Sequence, residues 1–277
     1  PHALGISLFH SIAAFNNSGF DILGGLRNLI PYQNNVLLNF TTSFLVIFGG
    51  LGFLVILDII KHRSFRKLNL HSKVVITTTV ALLAAGTLLL KATEDISWMG
   101  AFFQSMSART AGFSTYQIGE FTNAGLFVLC VLMFIGASPG STGGGIKTST
   151  FFVLVQSMRG AFTKNNPEAF RRSISKQNVS KAYMITLLSA AVVCVAVFLM
   201  CVLDPECTFI QLFFEVISAF GTVGLSTGIT PTLSWAGKLV IIFVMYIGRV
   251  GAFTLLTVWI NRPERKAHYS EEKVSIG

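Results

Sequence analysis

Charge is scarce in this sequence. Only 12% of its 277 residues are Asp, Glu, Lys or Arg, against about 25% in ordinary soluble domains, while 52% are hydrophobic and the mean hydropathy is +0.66. A soluble globule of one or two domains is thereby excluded. A net charge of +9 on so apolar a chain gives no nucleic-acid footprint either. Cysteine is scarce: Cys130, Cys194 and Cys201 lie in apolar runs and only Cys207 has polar neighbours, which excludes a disulfide framework and a CxxC metal motif. His2, His10, His62, His71 and His268 have no metal-ligand spacing, and no Ser/His/Asp or paired-carboxylate arrangement stands out, so no catalytic site is expected. The chain starts at Pro1, without Met and without a positively charged leader, which predicts that a native N-terminal segment precedes it.

Long apolar runs are present instead. About 20 such residues, at 1.5 Å each, cross a hydrocarbon core of roughly 30 Å. Residues 36–60, 74–90, 182–203 and 236–260 are runs of this kind; a fifth, 121–158, is too long for one span and is interrupted by GASPGSTGGG at 136–145, where Gly and Pro cannot support an unbroken helix. Residues 3–14, 97–108 and 208–219 are shorter apolar segments, each good for roughly 18 Å of helix, about half a membrane. They are expected to be re-entrant helices.

Basic residues sort the connections. Lys61, Arg63, Arg66, Lys67 and Lys73 share one, Arg159, Lys164, Arg171, Arg172, Lys176 and Lys181 another, and Arg262, Arg265, Lys266 and Lys273 the tail; the alternate connections carry Glu94, Asp95, Glu120, Asp204 and Glu206. The positive-inside rule therefore predicts that the basic loops and C-terminus are cytoplasmic. The same charge suits anionic lipid headgroups.

An internal repeat organises the runs. Each short segment ends in a turn with glycine: Asn17-Ser18-Gly19, Thr110-Ala111-Gly112 and Thr222-Val223-Gly224. An offset of 112 carries Phe102 onto Phe214, Thr110 onto Thr222, Gly112 onto Gly224, Ser114-Thr115 onto Ser226-Thr227 and Ile135-Gly136 onto Ile247-Gly248. Three copies of span, half-helix, glycine turn and span follow, the first copy beginning at its half-helix. Irregular backbone at mid-membrane is tolerated only where it lines a wet, protein-walled cavity. A half-helix entering from outside aims its partly negative C-terminus at the membrane centre. Glycine can take φ > 0 there and bring carbonyl oxygens to a cation in place of water. Three glycine turns fit a pseudo-fourfold ring with one member absent.

These residues resemble a known family. FNNSGF at 15–20, SARTAGF at 107–113, GASPGSTGGGIKT at 136–148 and YIGRVG at 246–251 are similar to the motifs of the Trk/Ktr/HKT potassium transporter superfamily, most closely its Ktr-type membrane subunits. The resemblance covers essentially the whole chain. It implies an all-α polytopic membrane protein of repeated helix, half-helix pore loop and helix units around a central pore. On that reading 1–60 is the end of the second repeat, 72–160 the third with its intramembrane loop at 136–148, 180–260 the fourth and 261–277 a cytoplasmic tail, the first repeat and part of the second being absent. Asn17, Ser18, Gly19, Thr110, Ala111, Gly112, Thr222, Val223 and Gly224 become the selectivity filter, with K+ as the transported ion held by its carbonyls and Na+ a candidate coupling ion. Glycine rather than serine at all three filter positions favours potassium over sodium. Implied too are a bacterial cell-membrane location, a homodimer, and a cytoplasmic ring of nucleotide-binding regulatory subunits of the KtrA/KtrC type.

The glycine-rich stretch is no phosphate loop, because Ile146 separates Gly145 from Lys147 where GxxxxGK[ST] requires adjacency. Its place, 24 to 36 residues after a filter glycine, suits a movable loop across the pore. Gly136, Gly140, Ser141, Thr142, Gly143, Gly144, Gly145 and Lys147 are the expected gate. Arg249, a charge in the interior of an apolar span whose other charge, Lys238, lies at the start, costs at least about 2.5 kcal/mol unless it faces water or a partner, and is expected to donate to the carbonyls of that loop. Arg109 and Glu215, both in the half-helix segments, are candidates equally for pairing that holds the filter region and for direct contact with permeating ions.

Overall fold

The computed structural model describes residues 2–25, 27–163 and 167–251. Ten α-helices carry the described fold: α1 (His2–Phe15), α2 (Val36–Leu51), α3 (Phe53–His62), α4 (Leu70–Thr93), α5 (Trp98–Ser107), α6 (Asn123–Phe134), α7 (Thr148–Thr163), α8 (Lys176–Leu203), α9 (Phe209–Gly221) and α10 (Trp235–Val250). By length and composition α4 and α8 each suffice to cross a membrane, and α2 with α3 would be a third, broken, span. The half-helices fall where apolar length predicts them, at α1, α5 and α9.

Small polar residues start these helices by accepting from otherwise unpaired N–H groups of the first turn. Asn35 accepts from Leu38 N, Ser97 from Gly100 N, Thr122 from Gly125 N, Ser175 from Asn178 N and Ser234 from Gly237 N. Two of these caps are tied back to the preceding span. Glu94, after α4, accepts from Thr122 N at 3.0 Å and Thr122 Oγ1 at 2.6 Å; Asp204, after α8, accepts from Ser234 N at 2.6 Å and Ser234 Oγ at 3.1 Å. Thr122 and Ser234 stand 112 residues apart. So do Gly125 and Gly237, where a Cβ would strike Glu94 and Asp204 respectively.

Glycine sets the depth of packing at the other end of α2 and α10. A Cβ on Gly49 would overlap the carbonyl of Phe15, at the end of α1, and a Cβ on Gly248 that of Phe220, near the end of α9. Each span thus lies against the carbonyl end of its half-helix. The core gathers around the half-helices, with Phe103, Met106, Phe113, Leu129, Met133, Leu212 and Phe214 almost wholly buried. Large apolar side chains such as Leu37, Phe44, Leu88, Leu187, Phe198 and Phe243 point outward, as they do on a lipid-facing surface.

Two spans differ from expectation. The run 36–60 is not one straight helix: Gly52, at φ 86°, separates α2 from α3 and the axes bend by 97°. Hydropathy sees no break because residues on both sides are apolar; the backbone breaks where glycine permits a positive φ. The run 236–260 is helical to Val250 and ends on Gly251, at φ 89°. Its remainder, and the tail 261–277, lie outside the described residues. The run 121–158 divides into α6 and α7 around the glycine-rich stretch, as the Gly and Pro content predicts.

Candidate functional site: three glycine turns and a glycine-rich loop

The half-helices end alike. Asn17 (φ 51°), Thr110 (φ 85°) and Thr222 (φ 49°) are all left-handed, and two residues later so are Gly19 (φ 68°), Gly112 (φ 80°) and Gly224 (φ 92°). The left-handed step turns the chain out of the helix. Val223 N then bonds Ser218 O at 2.9 Å and Ser18 N bonds Ala13 O at 3.1 Å. The residue after each of the last two glycines is held from within its own half-helix: Ser107 Oγ donates to the Phe113 carbonyl, and Ser218 Oγ to that of Leu225 at 2.6 Å.

The turns also touch one another. A Cβ on Gly19 would stand 2.6 Å from Ala111 O and 3.1 Å from Gly112 Cα; one on Gly112 would overlap Val223 O; one on Gly224 would meet nothing within 4 Å. The three backbones therefore form an arc, from Asn17–Gly19 through Thr110–Gly112 to Thr222–Gly224. Asn17 stitches the first joint, its amide lying 3.2 Å from Thr110 Oγ1; oriented to satisfy both ends, it also donates to Ala14 O and Val46 O at 3.1 Å. A cavity of about 950 Å³ touches Gly112 and Gly224 and has Asp21, Arg27, Glu120 and Thr230 among its walls.

On the opposite side of the arc lies the glycine-rich stretch. Ile135 and Ile146 pair as a parallel bridge, with Ile146 N donating to Phe134 O at 3.1 Å, so the loop leaves and returns side by side. A Cβ on Gly136 would overlap Gly144 O. Gly140 (φ 73°) and Gly145 (φ 67°) make its two reversals, and Ser141 Oγ bonds Ser138 O at 2.6 Å. Gly143 packs on the Thr110 side chain and Gly144 on that of Thr222. The Thr142 and Thr222 hydroxyls are buried without a hydrogen-bond partner among the described residues.

Lys147, not Arg249, makes the charged bond to this loop: its Nζ donates to Gly143 O at 2.6 Å. Arg249, in the last turn of α10, is exposed, and no hydrogen bond joins it to the loop among the described residues. It is near enough for its charge to act on Lys147. The C-terminus of α10 favours a cation at Arg249, whereas Lys147 precedes the N-terminus of α7 and is held by its bond to the loop. Pairing of Arg109 with Glu215 is also absent. Arg109 is buried with Nη1 3.5 Å from Thr79 O and Nε unpaired. Glu215 instead accepts from Ser226 Oγ (2.6 Å), Thr227 N (3.0 Å), Thr227 Oγ1 (3.3 Å) and Thr230 Oγ1 (2.9 Å).

Several supporting residues escape sequence reasoning. Asn28, 84 residues from its target, donates to Gly112 O at 3.3 Å and accepts from Ser114 N at 3.2 Å. Gln104, suitably oriented, accepts from Thr115 N at 3.1 Å and Tyr116 N at 3.3 Å. For Gln104 a signal existed, a lone amide in an apolar half-helix. For Asn28, in a polar connection, none did.

Apolar helices long enough to cross a membrane, packed around shorter ones that end in glycine turns, define a polytopic α-helical membrane protein. Comparison with known proteins places it further. The chain belongs to the TrkH family, described as "Cation transport protein", whose model matches residues 2–94 and 68–268. It is 40% identical to "Ktr system potassium uptake protein B" of Vibrio alginolyticus, over 98% of this chain and 62% of that protein. To "Potassium/sodium uptake protein NtpJ" of Enterococcus hirae it is also 40% identical, over 98% of this chain and 64% of that protein. The chain thus spans less than two thirds of the length of these relatives. Its fold matches the crystal structure of the potassium transporter TrkH from Vibrio parahaemolyticus at a TM-score of 0.76 and 19% identity, covering 92% of this chain and 58% of that one.

Proposed function

We propose that this chain is part of a potassium-translocating subunit of a bacterial uptake system, a transporter rather than an enzyme. The observation that carries the reading is the arc itself: three half-helix C-termini ending in left-handed turns whose glycine backbones touch. Each helix end brings partial negative charge, and carbonyls of residues 17–19, 110–112 and 222–224 can replace part of the hydration shell of K+. The names of the relatives, potassium uptake and potassium/sodium uptake, agree with K+ as substrate and keep Na+ as the candidate coupling ion.

The acidic connections face the outside on this reading, so K+ enters by the cavity at Asp21 and Glu120, crosses the arc, and meets the loop 136–148. That loop is the gate. It stands against Thr110 and Thr222, and the bond from Lys147 puts a positive charge in the path of a cation. The subunit is multi-pass in the cell membrane, with repeats at 1–60, 72–160 and 180–260. It pairs as a homodimer and is regulated by a nucleotide-binding ring docked on the basic side, where Arg159, Arg171, Arg172 and Lys181 lie. The decisive experiment reconstitutes the subunit, with its natural flanking sequence, in liposomes and measures K+, Rb+ and Na+ flux. K+ and Rb+ should pass in preference to Na+; absence of flux, or equal flux of all three, would refute the assignment.

A further inference from the structure

α3 is turned inside out relative to a helix on a soluble surface. Its buried face carries Val55 and Asp58, while Phe53, Leu54, Leu57 and Ile60, which share the opposite face, are between half and two thirds exposed. The buried carboxylate is fully engaged by its own segment: Asp58 accepts from His62 Nδ1, Asn69 N and Asn69 Nδ2, each at 2.9 Å. So the outward face is apolar by construction. Next to it stand Lys61, Arg63, Arg66 and Lys67, all exposed, with no exposed acid among residues 53–73.

The direction of α3 matters as much. α2 covers about 24 Å at 1.5 Å per residue, most of a hydrocarbon core, and α3 leaves it at 97°. A helix perpendicular to a span lies along the membrane surface. There an apolar face enters the acyl boundary and flanking cations meet the headgroups. The cations place α3 on the basic side, and complementarity of charge selects anionic phospholipid as what it meets.

The elbow between α2 and α3 also grips the glycine-rich loop. Ser138 N donates to Gly50 O at 3.2 Å and Phe53 N to Gly140 O at 3.3 Å. A Cβ on Gly52 would come 2.7 Å from Pro139 O, and one on Gly140 would rest on the Phe53 ring at 3.4 Å. Phe53 is therefore both the first residue of the lipid-facing side and a contact of the loop.

We propose that α3 is a membrane-surface helix that seats in the anionic inner leaflet and, through the Gly52–Phe53 elbow, holds the loop 136–148 in place. The inference rests on the elbow geometry and does not require that the loop be the gate. Two measurements on the reconstituted subunit, with its natural flanking sequence, test it without any transport assay. In Leu57→Trp, the emission added over the parent should be quenched by phospholipids brominated near the headgroup more than by those brominated at mid-chain. Amide hydrogen exchange across 136–148 should be about fivefold slower in phosphatidylglycerol vesicles than in phosphatidylcholine vesicles. The combined variant Lys61→Gln, Arg63→Asn, Arg66→Gln and Lys67→Gln should abolish that difference; Asn is chosen because position 63 is left-handed (φ 48°), which Asn tolerates. Added emission that no brominated lipid quenches would mean that water or protein covers the face, and would overturn the seating. Exchange indifferent to lipid charge in the parent, or a lipid effect that survives in the variant, would overturn the coupling.

Discussion

Gly143 faces the Thr110 side chain so closely that a Cβ on the one would overlap the hydroxyl of the other, and Gly144 stands in the same relation to Thr222. The loop and two of the three turns therefore touch through positions that tolerate no side chain.

Gly143→Ala should push the loop off the turns. Position 143 has no positive φ, so the backbone accepts alanine and the strain is steric, about 1–3 kcal/mol for one added carbon in a packed site. If the loop blocks the path, the closed state loses that amount and Rb+ uptake per folded protein should rise about tenfold, since 1.4 kcal/mol is a factor of ten. Uptake at the parent level with an unchanged melting temperature would show that the contact does not restrain flux.

The glycines of the arc should not be equivalent. Gly112→Ala meets both a left-handed backbone, costing about 1–2 kcal/mol, and the Val223 carbonyl; Gly224→Ala meets the first penalty alone, at φ 92° with free space around it. Competitive uptake of K+ against Na+ should therefore fall by about tenfold or more in the first and by less in the second. Serine at these positions should act in the same order. Equal loss in both variants would make backbone conformation, and not spacing between turns, the source of discrimination.

Lys147→Gln removes a charged donor 2.6 Å from Gly143 O, an interaction of about 1.5–3 kcal/mol. Flux should increase about tenfold with selectivity intact. Arg249→Ala removes only a neighbouring like charge, so flux should stay at or below the parent level. A large rise in the Arg249 variant would instead restore it as the latch, in a state other than this one.

Glu215→Gln keeps the shape of the side chain but exchanges a carboxylate with four donors for an amide with one oxygen. With Oε1 kept, the bond from Thr230 loses its acceptor and the other three lose their charge assistance, about 2–3 kcal/mol in total. The melting temperature should drop, and K+ over Na+ preference should weaken, because residues 226–230 follow the Gly224 turn directly. Thermal unfolding in detergent and competitive uptake read the two effects separately.

Much of this protein was legible in one dimension. Apolar length marks α4 and α8 as spans and α1, α5 and α9 as half that length; Gly and Pro between 136 and 145 separate α6 from α7; the 112-residue offset pairs Thr110 with Thr222 and Gly112 with Gly224, which share a left-handed backbone. These are local properties, set by hydropathy and by the φ that each residue allows. What needed the folded chain was every relation between distant segments. Gly52 looks no different from Gly49 or Gly50 in sequence, yet only at Gly52 does the axis turn, because α3 packs Asp58 against Asn69 while α2 lies on α1. Arg249 stands out as a charge deep in its apolar run, well past Lys238 at the start, whereas the bond to the loop comes from Lys147, four residues along the chain from Gly143. Asn28 holds Gly112 from 84 residues away. Residue types and their spacing determined which segments are long apolar helices, which are short ones and where the chain turns; which of those segments meet, and through which atoms, was decided by the packing of helices around the arc, a property that no single segment contains.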